Sequence, residues 1–407
     1  MNNVEKNKIE FSNKIHPYLA GFSDDLMFWA AINTLFLTIL KGFHASQISL
    51  ISAISIFISI IVQKIIFKII KKMGNLLSFR FGLVLLLISA IMIIISKSIY
   101  LMVIAYVIYH IAFYFTNMGS VILKRNLKAL NKEDDFVKLQ SRASLVYAIS
   151  TMIISFISGF IFNINMYLPM IICVIICLIN IFMSKYIYEY KDNDLVNNNA
   201  KKEKNKVNWT KVIIYIILVY GLLYATVETL QENGKIFIQY RMQDYMTVSR
   251  TSIYLTIIIA FSRISRVLSD VFFNKLYSFL KKRFIILLNI LLFLSALFMI
   301  LGYIISFNVI SSLVMALGFI ILLFVRDPIM NFTKNELLDN CRMKDQEEVI
   351  HKYNLCRRIV RCIFATTASL ILLKIDMMYL IIILLGLAML YLPITINLYK
   401  KLIKNNK

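Results

Sequence analysis

Residues 284–306 read FIILLNILLFLSALFMILGYIIS, 23 positions without an Asp, Glu, Lys, Arg or His. At about 1.5 Å of rise per residue, such a helix covers roughly 34 Å, more than the ~30 Å hydrocarbon core of a bilayer. A helix apolar on every side for that length marks a membrane span. Windows of about 19 residues find comparable stretches along the whole chain. They centre on 17–41, 46–70, 79–97, 99–122, 142–164, 167–188, 210–230, 250–273, 284–306, 308–331, 356–374 and 377–399. The fold class is therefore an all-α membrane protein of about twelve transmembrane helices embedded in a lipid bilayer.

Composition agrees. The chain is 59% apolar and 16% charged, against about 45–50% and about 25% for a soluble protein. A net charge of +23 raises the question of nucleic acid, and the placement of the 45 Lys and Arg answers it. Thirty-five lie in alternate connections on one side of the spans, and six (Lys41, Lys97, Lys235, Arg241, Arg250, Lys374) lie on the other. That asymmetry is the positive-inside pattern, not a nucleic-acid surface. It places both termini and the long connection after the sixth span in the cytoplasm, as expected of a multi-pass protein of a cell's cytoplasmic membrane.

The segment YKDNDLVNNNAKKEKNKVNW, 190–209, is polar throughout and divides the spans six and six. The expected organisation is an N-terminal bundle 1–188, a cytoplasmic linker 189–209 and a C-terminal bundle 210–407. The halves echo one another: each has a charge-rich cytoplasmic loop after its fourth span, from Lys124 and from Arg326. Aligning Ser46 and Gln47 with Ser249 and Arg250 sets Gln63 opposite Arg266, as in a parallel repeat.

This layout resembles the major facilitator superfamily of secondary transporters over the whole chain. Members carry a Gly-x-x-x-Asp-Arg-like loop after the second helix. Here FKIIKKMGNLL keeps Lys72 and Gly74 but has Lys71 where the family Asp would stand. The matching loop NKLYSFLKKRF keeps only basic residues, and the fifth span lacks the Gly-Pro signature of drug/proton antiporters. The first span, GFSDDLMFWAAINTLFLTILKGFHASQISLI from Gly21, and Arg326-Asp327-Pro328 look like those of a group of transporters from low-GC Gram-positive bacteria. The resemblance implies two six-helix bundles rocking around a central cavity lined by helices one and seven. It implies a small-molecule substrate, protons or another coupling ion as partner, and a monomer.

Charges inside the spans are the candidate site, because each costs about 2.5–3.5 kcal/mol at mid-bilayer even on insertion scales. Asp24 and Asp25 are expected within the first helix, where Asp25, Trp29 and Asn33 share a face at i, i+4 and i+8. Glu228, Gln231 and Glu232 share a face of the seventh span, with Glu232, Asn233 and Lys235 read as a solvated outer end. Arg263 stands near mid-membrane. Arg266 and Asp270 form an i, i+4 pair. Arg326 and Asp327 precede Pro328, which should end or kink the tenth span and let them latch onto Arg357, Arg358 and Arg361. Asp24, Asp25, Trp29, Asn33, Glu228, Gln231 and Arg263 are thus read as substrate or coupling residues. Lys72, Gly74, Arg266, Asp270, Arg326 and Asp327 are read as gate or structural groups.

Four scattered histidines and five cysteines show no zinc spacing, and no phosphate-cradling G-x-x-x-x-G-K-[ST] loop is present. No metal, cofactor or enzymatic activity is expected. Proton-coupled export by alternating access is the leading reading, with uptake of a small anionic metabolite as the alternative. A flippase, a membrane-embedded enzyme and a non-transporting scaffold are the rivals.

The charge asymmetry carries a direct test. In a background without the native cysteines, a cysteine at Asn198 should resist an impermeant thiol reagent added to intact cells, and one at Ser306 should react. Labelling of the Asn198 site from outside would invert the topology.

Overall fold

The structure is a computed structural model that describes residues 3–190, 210–305, 309–341 and 346–404. Its described part comprises α1 (Asn3–Ser23), α2 (Trp29–Leu35, continued by a π turn Phe36–Leu40), α3 (Ala45–Met73), α4 (Asn75–Ile95), α5 (Ile99–Thr116), α6 (Met118–Ala129), α7 (Asp135–Ile164) and α8 (Leu168–Met183). The second half holds α9 (Lys211–Gln243), α10 (Val248–Leu280), α11 (Phe284–Ile304), α12 (Val309–Asp339), α13 (Gln346–Leu372) and α14 (Met377–Lys404). Most of the expected linker, 191–209, lies outside the described residues.

Helix starts follow local chemistry. Ser98, Thr210 and Thr247 each accept a hydrogen bond from a backbone N–H three residues on, at 3.3, 3.2 and 3.4 Å, which satisfies one orphan donor per helix. Gly74 joins α3 to α4 with φ +80°, a conformation that costs a side-chain-bearing residue energy.

Among the described residues, nine helical segments are long and apolar enough to cross a membrane. The other three expected spans are the first, which is broken, and α10 and α13, which carry buried or half-buried arginines. Side chains such as Ile61, Ile95, Ile164, Leu313 and Leu390 stand exposed, the surface that lipid covers.

Three local expectations change. Residues 24–28 are not helical, so the first span is interrupted where its two acids stand. The charge-rich segment after Lys124 is no extended loop: α6 continues to Ala129 because Ile122, Leu123 and Leu127 are buried along one face, and α7 resumes at Asp135. Pro328 does not end its helix either, since α12 runs through it to Asp339. A proline inside a span forfeits one backbone bond, and neighbouring groups in the bundle supply replacements.

Contacts divide the chain into two compact units. Unit 1 draws on Met1–Ala31, Ile58–Ile154 and Ile164–Lys206. In it Gly82 of α4 lets α5 approach so closely that a Cβ would lie 2.7 Å from the Thr116 nitrogen. Ile66, Ile70, Tyr114 and Phe115 form a buried cluster there, flanked by Val62, Met73, Leu85 and Ile111. Glu189, after α8, clasps the start of α4. Its carboxylate accepts from Asn75 Nδ2 at 2.6 Å and the Leu76 N–H at 3.1 Å, and pairs with Arg125 at 2.9 Å.

Unit 2 comprises Ile32–Phe57, Ser155–Asn163 and Val207–Lys407. Parts of α3 and α7 from the first half of the sequence thus pack by contact with the second. Gly159 of α7 permits this, because a Cβ there would stand 2.7 Å from the Ser252 carbonyl oxygen of α10. At the centre of the unit lies α9, of whose apolar window 72% is buried, against 56% or less for every other candidate span.

The close approach at Gly82 predicts that Gly82→Ala lowers the thermal unfolding midpoint in detergent, overpacking costing about 1–3 kcal/mol. Gly386→Ala, with nothing within 4 Å of the added methyl, should unfold at or above the wild-type temperature. Equal midpoints for the two variants would refute the packing argument.

Candidate functional site

Each unit places charge among its helices. In unit 1 the first helix stops at Ser23 and restarts at Trp29, and Asp25 stands in the gap. Its Oδ1 accepts the Leu26 N–H at 2.7 Å, which ties the turn to its own carboxylate. The Tyr109 hydroxyl of α5 donates to the same oxygen, and the Tyr147 hydroxyl of α7 lies 3.4 Å from Oδ2.

Rings extend this cluster. Trp29 meets Tyr106 edge to face at 6.0 Å between centroids, Tyr106 lies 6.4 Å from Tyr109, and Tyr109 packs on His110 at 5.6 Å and Phe113 at 4.8 Å. Asp24 is exposed and Asp25 half-buried, so the neighbouring acids occupy different environments. The shared face of Asp25, Trp29 and Asn33 does not exist, because the break puts Asp25 outside any helix. Trp29 belongs to the aromatic cluster of unit 1, whereas Asn33 accepts from Lys235 Nζ at 3.4 Å in unit 2.

In unit 2, Glu228 of α9 is the hub. Its carboxylate pairs with Arg361 of α13 at 3.0 Å and Arg326 of α12 at 3.7 Å. The guanidinium of Arg357 lies over the Tyr224 ring at 4.6 Å, one turn before Glu228. The latch expected between Arg326, Asp327 and the α13 arginines thus takes another form. Arg326 and Arg361 share one acid, and Asp327 bridges to Arg266 of α10. Helical spacing pointed Arg266 at Asp270, whose side chain lies outside the described residues.

The stretch of α9 around Asn233 and Lys235, expected to be solvated, is not. Asn233 and Lys235 are buried, and a ladder of side-chain bonds leads to α2 and α3. Ser52 donates to Glu232 at 3.4 Å, Ser49 to Asn233 at 3.2 Å, and Gln239 to Thr38 at 2.5 Å. Gln231 is half-buried. Arg263 is 6% exposed, and its Nε finds no hydrogen-bond partner among the described residues. Lys72 and Gly74 are exposed at the α3–α4 turn, away from both clusters' contacts.

Sequence reading overlooked Tyr106, Tyr109 and Tyr147, which look like ordinary span aromatics. It also overlooked a legible signal, Ser46, Ser49, Ser52, Ser55 and Ser59, buried hydroxyls at steps of three or four along α3. Chemically, unit 1 offers a carboxylate lined by phenols and rings, a setting that attracts organic cations. Unit 2 offers guanidinium groups around a single acid.

Comparison with known proteins is consistent with this architecture. The sequence pattern of the Major Facilitator Superfamily matches residues 18–340. A search of curated proteins by sequence finds no match. Among solved structures, the nucleoside transporter NupG is similar with a TM-score of 0.75 at 12% identity, covering 96% of this chain and 99% of that one. A bacterial homologue of the iron transporter ferroportin in the inward-facing state gives 0.71 at 13% identity, over 98% and 100% of the two chains. A bacterial metal transporter gives 0.68 at 12% identity, over 96% and 98%. At these identities the likeness is one of fold.

The Arg266–Asp327 bridge predicts that reversing either charge alone cuts transport roughly tenfold or more, since one partner of a partly buried pair is left facing its like. Reversing both should restore much of the loss at equal protein level. A double variant as impaired as the worse single one would show that the pairing itself is not what matters.

Proposed function

The chain belongs to the major facilitator superfamily, and we propose that it exports a small organic cation in exchange for protons, by alternating access of its two halves. It is a multi-pass membrane transporter rather than an enzyme, and the fold is that of a secondary carrier. The substrate, direction and coupling ion are the parts we infer.

The observation that carries the reading is Asp25. It sits in an interruption of the first span with two tyrosine hydroxyls on its carboxylate and the Trp29, Tyr106 and Tyr109 rings beside it. Irregular backbone at membrane depth is tolerated where it is buried in protein or lines a water-filled cavity. A carboxylate flanked by aromatic faces attracts an ammonium group by charge and by ring quadrupole, and rejects anions by the same charge. The same oxygen atoms accept either a proton or a cation, but not both, and that competition is the core of an exchange cycle.

Direction follows from the membrane potential. A cation gains about 2.3 kcal/mol per 100 mV on moving to the negative interior, so entry needs no coupling and expulsion does. Glu228 has a different part in this scheme. With two guanidinium groups on its carboxylate, it organises α12 and α13 around α9 rather than meeting solute.

In vesicles with an imposed pH gradient, labelled tyramine and tetraphenylphosphonium should move uphill with the wild-type protein. Asp25→Asn should lower that flux more than tenfold and weaken downhill exchange as well, because the carboxylate that takes the proton is also the one that holds the cation. Wild-type uphill rates in Asp25→Asn would remove this carboxylate from the coupling step.

A further inference from the structure

Arg263 is the charge that these contacts leave over. It lies mid-way along α10, 6% exposed, and its Nε meets no acceptor among the described residues. Arg266, one turn on, is bridged to Asp327, so the same helix carries one neutralised guanidinium and one without a described counter-ion. The described carboxylates of α9 and α12 have other partners. Glu228 holds Arg326 and Arg361, Glu232 accepts from Ser52, and Glu336 lies 3.5 Å from the Tyr277 hydroxyl. Nearby hydroxyls are committed to the main chain: Ser262 donates to the Ile259 carbonyl at 2.6 Å and Ser265 to the Ile320 carbonyl at 3.0 Å.

Arginine does not deprotonate in proteins, so it cannot escape burial by becoming neutral. An ionised side chain at this depth persists where a partner or a function offsets its desolvation. The planar fork of a guanidinium matches two oxygens of a carboxylate or phosphate at once. A carbonyl or a hydroxyl alone would leave most of its donors unused.

We propose that Arg263 is an anion-binding subsite for the transported solute, taking a carboxylate or phosphate group on its guanidinium. This rests on the reading that the chain is a carrier of small organic solutes, and it gives solutes that bear a carboxylate or phosphate group a binding residue on α10. A lipid headgroup offers the same phosphate chemistry, so the test separates the two sources.

Purified protein in an uncharged, phosphate-free detergent is treated with phenylglyoxal, and adducts on Arg263 and Arg266 are followed by peptide mass spectrometry. Arg263 should react faster than the bridged Arg266, and inorganic phosphate or benzoate should slow its reaction about fivefold or more, as a bidentate charge-assisted contact would. Dihexanoyl phosphatidylglycerol serves as the lipid arm. An Arg263 that does not react, that reacts without protection by soluble anions, or that is protected by the lipid alone would overturn the proposal. A separate arm measures tyramine binding in wild type and in Asp25→Asn. If tyramine binding ignores Asp25 while soluble anions still protect Arg263, the cationic reading falls and the anion subsite stands.

Discussion

Glu228 reaches Arg361 at 3.0 Å and Arg326 at 3.7 Å, and through those contacts one carboxylate of α9 ties together three helices of unit 2. The carboxylate is 11% exposed and the two guanidinium groups 22% and 30%, so removing one partner costs less than the about 3–5 kcal/mol of a fully buried pair. The rest of unit 2 is arranged along the same helix. One turn before Glu228, Tyr224 carries the Arg357 guanidinium on its ring. In the turns after it, Glu232, Asn233, Lys235 and Gln239 reach α2 and α3. A helix this polar would be expensive facing lipid. Buried at the centre of its unit, it becomes the element to which the others are bonded.

The small side chains of α3 make that bonding geometrically available. Serines at steps of three or four present hydroxyls without bulk, so α9 comes near enough for hydrogen bonds from Ser49 and Ser52. Ser46 contributes through its carbonyl, which accepts from Ser369 of α13 at 2.9 Å. Gly159 serves α7 and α10 in the same way. Segments of the first sequence half are thereby drawn into the compact unit of the second, which residue order alone does not suggest.

The two units solve the problem of intramembrane charge by different means. In unit 1 the acid is kept at a break in the helix, where its own backbone and two phenol hydroxyls surround it. In unit 2 acids and guanidinium groups neutralise one another across helices, and Arg263 remains without a described counter-ion.

Membrane class and the positions of nine spans among the described residues were legible in the sequence, because the cost of placing each segment in hydrocarbon is settled segment by segment. The opening run 284–306 needs no partner to be recognised, and α11 occupies Phe284–Ile304. Partnership was not legible. Arg266 finds Asp327 at a separation of 61 residues, and Asp25 finds Tyr109 at a separation of 84. The spacing rules that relate neighbours along one helix say nothing of such contacts, which depend on how separate helices pack. For the same reason the break at 24–28 was hidden: helix length argued for continuity, and the capture of Asp25 by its own backbone and by tyrosines from two other helices exists only once those helices are assembled.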